Sequence, residues 1–173
     1  QPGREYVAQS GLIGRNGVDS NGRATYRTNS TSYTMSESAD SLDVDLSLVT
    51  SDGVGVTKRY SFSRESYLID VSFIINNTTT ETWQANAFGQ IKRDAFDDPS
   101  DAGGFGRTYL GFVTTITDDP YIEIEFDDID DNGSSTLETP GGWMAFSQHY
   151  FITAWIPAID STTQLTTRKN SSN

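Results

Sequence analysis

Hydrophobic and polar residues alternate with a period of two along much of this chain. The odd-numbered positions from Tyr67 to Ile75 are all apolar and would share one face of a strand. The even-numbered positions, which include Asp70 and Ser72, would share the other face. Because successive side chains of a strand point to opposite faces, this pattern predicts a half-buried β-strand.

A second alternation predicts a hairpin. Leu42 to Leu48 and Val54 to Phe62 both alternate, although Lys58 interrupts the second run, and Asp52-Gly53 lies between them. An Asp-Gly pair readily adopts the positive φ angles of a tight turn. We therefore expect the two runs to pair as antiparallel strands.

The remaining pattern favours an all-β fold. Asn76-Asn77 and Asn132-Gly133 are turn signals, and segments with helical periodicity are nearly absent. The length of 173 residues suits one domain. We predict a single β-sandwich domain over residues 1–173, built from many short, mostly antiparallel strands. Residues 93–107 form the longest stretch without a strand signal, and we expect an acidic surface loop or a functional loop there.

The segment from Gly141 to Pro157 concentrates large aromatic residues. Trp143, Phe146 and Tyr150 are spaced like one side of a short helical turn, and residues 151–156 are predicted to form a buried strand that ends at Pro157. So many rings in one run require either burial or a partner.

Charge and composition exclude several classes of function. The chain has 24 acidic and 12 basic residues and a formal net charge of −12, so we expect neither nucleic acid nor anionic lipid as a partner. It contains no cysteine, which excludes disulfides and thiolate metal sites. No run approaches the roughly 18 apolar residues of a membrane-spanning helix.

No strong catalytic motif is present. The sequence lacks a Gly-x-Ser-x-Gly elbow, a P-loop and a dinucleotide-binding fingerprint, and we expect no cofactor. His149 is the single histidine, so a multi-histidine zinc site is excluded. Its imidazole is either a structural group within the aromatic run or a general base.

Residues 128–133 resemble the start of a calcium-binding loop. Asp128, Asp130 and Asn132 are weak candidate ligands. Position twelve of such a loop, which requires glutamate, is Thr139 here, and Glu138 misses it by one residue. The alternative is an acidic turn that attracts counterions loosely.

Three collinear segments carry a resemblance to a known family. They are Gln9 to Leu12 (Gln-Ser-Gly-Leu), Phe88 to Lys92 (Phe-Gly-Gln-Ile-Lys) and Gly141 to Pro157, which contains Gly-Gly-Trp, Gln-His-Tyr-Phe and Ala-Trp-Ile-Pro. From about Tyr6 to Pro157, the chain resembles the large periplasmic domain of YidC membrane protein insertases.

The resemblance implies a fold, a location and partners. The expected fold is a β-super-sandwich similar to that of galactose mutarotases, on the periplasmic face of the bacterial inner membrane. The expected partners are the Sec translocon, through its SecF subunit, and nascent membrane proteins, to which the domain would offer a chaperone-like surface. The resemblance implies no catalytic residue, and the membrane would be reached only through segments absent from this chain. The family domain has further strands before and after the matching region, so we expect an incomplete sandwich here.

Protein docking is therefore the leading functional hypothesis. The candidate partner-binding residues, expected to be a mixture of surface anchors and core, are Phe105, Tyr109, Trp143, Phe146, Tyr150 and Trp155. The alternative is that all of them are core, and for Phe146 and Trp155 we favour this alternative. The rival function is a carbohydrate-binding or aldose-epimerase-like protein, in which His149 would act beside a carboxylate.

Overall fold

β-Strands dominate the part of the chain that the computed structural model describes, which is residues 5–94, 109–148 and 150–170. The pairings of β2 with β3, β3 with β4, β6 with β7 and β9, β9 with β10, and β8 with β11 are all antiparallel. This confirms the predicted all-β class. In chain order the elements are β1 (Tyr6–Ile13), β2 (Ser41–Val49), β3 (Gly55–Ser63), β4 (Ile69–Asn76), β5 (Asn86–Arg93), β6 (Gly111–Ile116), β7 (Asp119–Ile124), α1 (Phe126–Asn132), β8 (Ser135–Pro140), β9 (Trp143–Ser147), β10 (Ile152–Trp155) and β11 (Thr162–Thr167).

Tertiary contacts group the chain into two compact units. Unit 1 comprises Gln1–Ser10 and Gly89–Asn173, and unit 2 comprises Gly11–Phe88. The limits of the units fall inside β1 and β5, which pair with each other as a two-stranded sheet. The aromatic segment predicted to carry function belongs to unit 1.

The hairpin predicted in unit 2 is confirmed. β2 pairs with β3 so that Leu48 lies opposite Val56, and the backbone N–H of Thr50 donates to the carbonyl of Val54 at 2.9 Å. In the connection between them, Gly53 has a φ of +87°, whereas Asp52 keeps a negative φ. Glycine alone supplies the left-handed conformation here, because it has no Cβ to clash with the backbone.

The predicted alternation in β4 is confirmed over most of the strand. Val71, Phe73 and Ile75 are half-buried on one face, and Ser72 is exposed on the other. The prediction was wrong for Tyr67, which lies before the strand begins and is fully exposed.

Lys58 interrupts the apolar pattern of β3 but is nevertheless buried. It lies opposite Phe73 in the register with β4. Its ammonium nitrogen lies 5.1 Å from the ring centre of Tyr60 and 5.7 Å from that of Phe73. Its cation therefore contacts the faces of two aromatic rings on the apolar side of the sheet, and the apolar stem fits the same surface.

Unit 1 contains a four-stranded sheet in the order β10-β9-β6-β7. The helical turn predicted from the spacing of Trp143, Phe146 and Tyr150 is wrong, because Trp143–Ser147 forms β9 in the middle of this sheet. β9 pairs with β6 along one edge and with β10 along the other, so Phe146 lies opposite both Phe112 and Thr153. Two ladders of backbone hydrogen bonds outweigh a local spacing that happens to suit a helix.

β10 lies at the edge of this sheet. Residues 151–156 do contain the predicted strand, but the prediction that it is buried was wrong. Phe151, Ile152 and Ile156 are 71%, 64% and 62% exposed. An edge strand has a neighbour on one side only, which leaves part of its side chains uncovered.

Candidate functional site

Phe146 lies at the centre of an aromatic cluster in unit 1. Its side chain is fully buried, and its ring makes edge contacts with Phe112 and Tyr6 at centroid distances of 5.1 Å and 5.7 Å. Phe126 lies 6.0 Å away. The structure therefore places this candidate docking residue in the core, where it can support a surface without forming one.

The cluster also contains a buried cation, which the sequence analysis missed. The Arg93 side chain is only 4% exposed, and its guanidinium carbon lies 4.8 Å from the ring centre of Phe146 and 6.0 Å from that of Tyr6. Its Nη1 donates to the carbonyl oxygen of Asp94 at 2.6 Å. Nothing in the local sequence distinguishes this arginine, because the rings that surround it come from distant segments.

Trp155 points inward from β10. Its indole N–H donates to the carbonyl of Gln90 at 3.0 Å. A Cβ built on Gly89 would lie 2.7 Å from Cδ2 of this indole, so only glycine allows the ring to lie against β5 at that position. Trp155 is half-buried and belongs to the packing between β10 and β5.

β10 and the residues that flank it carry a group of exposed apolar side chains. Thr153 faces inward and accepts a hydrogen bond from the Tyr6 hydroxyl at 2.6 Å, so its strand neighbour Ile152 lies on the opposite face. We call the following residues the β10 patch; their exposed fractions are Tyr150 77%, Phe151 71%, Ile152 64%, Ile156 62% and Ile159 91%. Tyr150 is thus the candidate docking residue that the structure places most clearly on the surface, while its neighbour His149 lies outside the described residues.

The other candidate docking residues either form hydrogen bonds within unit 1 or lie outside the described residues. Trp143 is half-buried in β9, and its carbonyl accepts a hydrogen bond from the Thr114 hydroxyl at 2.7 Å. The Tyr109 hydroxyl donates to the carbonyl of Phe112 at 2.6 Å and accepts from the backbone N–H of Ile124 at 2.9 Å. Tyr109 therefore ties β6 to the end of β7. Phe105 lies outside the described residues.

The environment of Tyr109 predicts a pH dependence of stability. Burial is the main cause that raises the pKa of its phenol from 10.0 to about 12. A raised pKa favours the protonated phenol in the folded state, so this contribution is fully present below pH 10 and is lost as the pH rises from about 10 to about 12. We expect the midpoint of urea denaturation to fall over that interval, and Tyr109→Phe to reduce the fall. An equal fall in both proteins would assign the effect to other groups.

The calcium candidates lie on a helix, so the predicted loop was wrong. Asp128 and Asn132 belong to α1; the carboxylate of Asp128 accepts the backbone N–H of Glu125 at 3.1 Å, and Asn132 donates its side-chain amide to the Asp128 carbonyl at 2.9 Å. Asp130 forms an ion pair with Lys169 at 2.7 Å. The described ranges contain no group of three or more His, Asp or Glu side chains placed to hold a metal ion.

Comparison with known proteins identifies the family of this chain. The model of the family described as YidC periplasmic domain matches residues 1–173. Three relatives carry the name membrane protein insertase YidC. The one from Marinobacter nauticus is 42% identical over 96% of this chain and 30% of its own length. The relative from Pseudomonas putida strain W619 is 43% identical over 97% of this chain and 30% of its own length. The relative from Alcanivorax borkumensis is 45% identical over 88% of this chain and 27% of its own length.

The chain thus spans about 30% of the length of the curated relatives that it matches. Within the residues that the structure describes, no helix is both long enough and apolar enough to cross a membrane.

Proposed function

This chain belongs to the YidC periplasmic domain family, and we propose that it is an accessory protein-interaction module of a YidC-type membrane protein insertase. The periplasmic domain of an insertase is located in the periplasm or in association with the membrane, and we propose the periplasmic face of the inner membrane for this chain. The relatives' name describes protein insertion, and we propose a non-enzymatic role for this chain as well.

The observation that supports docking most directly is the position of the β10 patch. Five large apolar side chains lie exposed within ten residues, on and beside an edge strand. The outer edge of β10 is not paired with any strand in the described ranges. Apolar patches of this kind and open strand edges are both typical of surfaces that bind another polypeptide.

The proposed mechanism is strand addition. An extended segment of the partner would form backbone hydrogen bonds with the outer edge of β10, and apolar side chains of that segment would contact Phe151, Ile152 and Ile156. The inward contacts of Thr153 and Trp155 hold the strand in place before the partner arrives. A rigid edge reduces the ordering cost of binding.

We propose SecF of the Sec translocon as the first partner to test, and extended segments of nascent membrane proteins as the second. Both follow from the resemblance of residues 6–157 to the insertase domain. Both also suit an edge that can accept any extended chain through backbone groups.

The test is an aspartate substitution in the β10 patch of the full-length insertase. Ile152→Asp is expected to lower SecF co-purification about tenfold, because a charge would have to be buried under the bound segment. The melting temperature should change little, since Ile152 is 64% exposed. Ile74→Asp is a matched control, because Ile74 is also exposed on an edge strand but belongs to unit 2.

Two results would refute the SecF proposal. One is full SecF recovery with Ile152→Asp and with Phe151→Asp. The other is an equal loss with Ile74→Asp, which would mean that added negative charge alone weakens the complex. If SecF recovery is unchanged, site-specific photocrosslinking from Phe151 during synthesis of a membrane protein tests the second partner, and failure to crosslink the nascent chain would remove it as well.

A further inference from the structure

Unit 2 contains a small cavity beside Trp83. Its volume is about 250 Å³, and we call it the Trp83 socket; its lining residues are Asn16, Asp52, Val54, Thr79, Glu81, Thr82 and Trp83. Cavities that hold a whole small molecule usually measure about 300–1,000 Å³. The Trp83 socket is therefore suited to a single long side chain.

Hydrogen bonds hold the loops around this cavity in place. The backbone N–H of Gln84 donates to the side-chain oxygen of Asn16, and the N–H of Asn16 donates to the carbonyl of Gln84, both at 2.9 Å. The side-chain amide of Asn77 donates to the carbonyl of Glu81 at 2.8 Å. With the hairpin connection of β2 and β3 also closed by hydrogen bonds, the socket is preformed, which lowers the entropy cost of filling it.

The lining combines an aromatic ring with negative charge. Trp83 and Val54 are its large apolar lining residues, and Asp52 and Glu81 are its two acidic lining residues. Neither carboxylate forms an ion pair with a lysine or arginine of the described residues. An arginine side chain has the matching chemistry, because its stem is apolar and its planar cation stacks on indole while pairing with carboxylates.

The charge around the socket also favours a cation. The chain as a whole carries a net charge of −12. Arg15 is the one basic residue that lines the neighbouring cavity of about 490 Å³, which shares Asn16, Asp52 and Trp83 with the socket. Arg15 does not line the socket itself, so its effect on an incoming cation is a weak opposing one.

We propose that the Trp83 socket binds an arginine side chain presented by a protein partner of this domain. This inference rests on the proposed function in taking the partner to be a protein, and it adds the chemistry by which that partner is recognised. It concerns unit 2, whereas the β10 patch belongs to unit 1, so each can be tested separately.

The experiment titrates the chain with two end-blocked peptides, Gly-Arg-Gly and Gly-citrulline-Gly, while the indole N–H signals are followed by NMR. The chain has three tryptophans, so three indole signals are expected, and Trp83→Phe identifies the relevant one. The arginine peptide should shift the Trp83 signal and bind about tenfold more tightly than the citrulline peptide, which is nearly isosteric but uncharged.

Three variants test the assignment of the contact. Asp52→Asn combined with Glu81→Gln should abolish the preference for arginine. Asp118→Asn combined with Asp119→Asn removes the same charge from exposed positions of unit 1, just before and at the start of β7, and should preserve that preference. Arg15→Gln should tighten arginine binding by a few-fold.

Any of three results would refute arginine binding by the Trp83 socket. They are no shift of the Trp83 signal, equal affinity for both peptides, and an equal loss of the preference for arginine in the two double variants. The last result would mean that net charge alone attracts the peptide. Ile152→Asp should leave peptide binding unchanged, so loss of SecF recovery in that variant tests the proposed function and not the socket.

Discussion

Phe146→Ala is expected to lower the free energy of unfolding by about 3–5 kcal/mol. The ring is fully buried and contacts Phe112, Tyr6 and Phe126. Its removal leaves a cavity and also takes away the ring that lies 4.8 Å from the guanidinium carbon of Arg93. The buried guanidinium of Arg93 would lose an aromatic neighbour, and this loss destabilises the folded state further, beyond the loss of the buried ring itself.

Urea denaturation followed by circular dichroism measures this effect, with Phe151→Ala as the matched control. The chemical change is the same, but Phe151 is 71% exposed, so its loss should cost less than about 1 kcal/mol. Similar midpoints for the two variants would contradict the placement of Phe146 at the centre of the unit 1 core. Phe151→Ala should weaken only partner binding.

Gly142→Ala is expected to destabilise the chain by about 2–4 kcal/mol, from two causes that act together. Gly142 has a φ of +83°, which L-residues with a Cβ rarely adopt. A Cβ at this position would also lie 2.7 Å from Cγ2 of Thr139 and 3.1 Å from the carbonyl oxygen of Thr115. The turn from β8 into β9 would have to move, and β9 carries Phe146.

Gly133→Ala separates the two causes. Gly133 has a φ of +72°, but a Cβ there would meet no atom within 4 Å. This variant should therefore show the cost of backbone strain alone, about 1–2 kcal/mol. The difference in melting temperature between Gly142→Ala and Gly133→Ala measures the destabilisation caused by the steric clash. Equal melting temperatures would show that the contact with Thr139 relaxes freely.

The segments that carry the family resemblance contact one another in unit 1. The side-chain amide of Gln90 donates to the side-chain oxygen of Gln9 at 2.9 Å, and the carbonyl of Gln90 accepts the indole N–H of Trp155 at 3.0 Å. Gly89 leaves room for that indole. The three collinear motifs are thus parts of one packing arrangement, which holds the edge strand β10 in place.

The sequence by itself determined the fold class and most of the strand pattern in unit 2. Period-two alternation over residues 42–48, 54–62 and 69–75 favours extended chain, because a strand places such residues on one face. Gly53, two residues before β3, marks the hairpin connection by its tolerance of positive φ. Both signals are local, so no knowledge of distant residues is needed.

Short or mixed signals were misleading. Trp143, Phe146 and Tyr150 share a helical spacing, but pairing on both edges made Trp143–Ser147 a strand. In the other direction, the polar run that resembled a calcium loop formed the seven-residue helix α1. In segments this short, the intrinsic helix or strand propensity of the residues is too small to determine the secondary structure, and contacts with the rest of the chain decide it.

Only the tertiary structure decided which aromatic residues are core and which are surface. The sequence predicts a strand over residues 151–156, but it does not show which of its side chains are covered. Thr153 and Trp155 are covered by contacts with Tyr6 and Gln90, which lie 147 and 65 residues away from them in the chain. The same holds for Arg93, whose burial depends on rings from other strands. Burial is set by contacts between segments distant in the chain, and these exist only once the chain has folded.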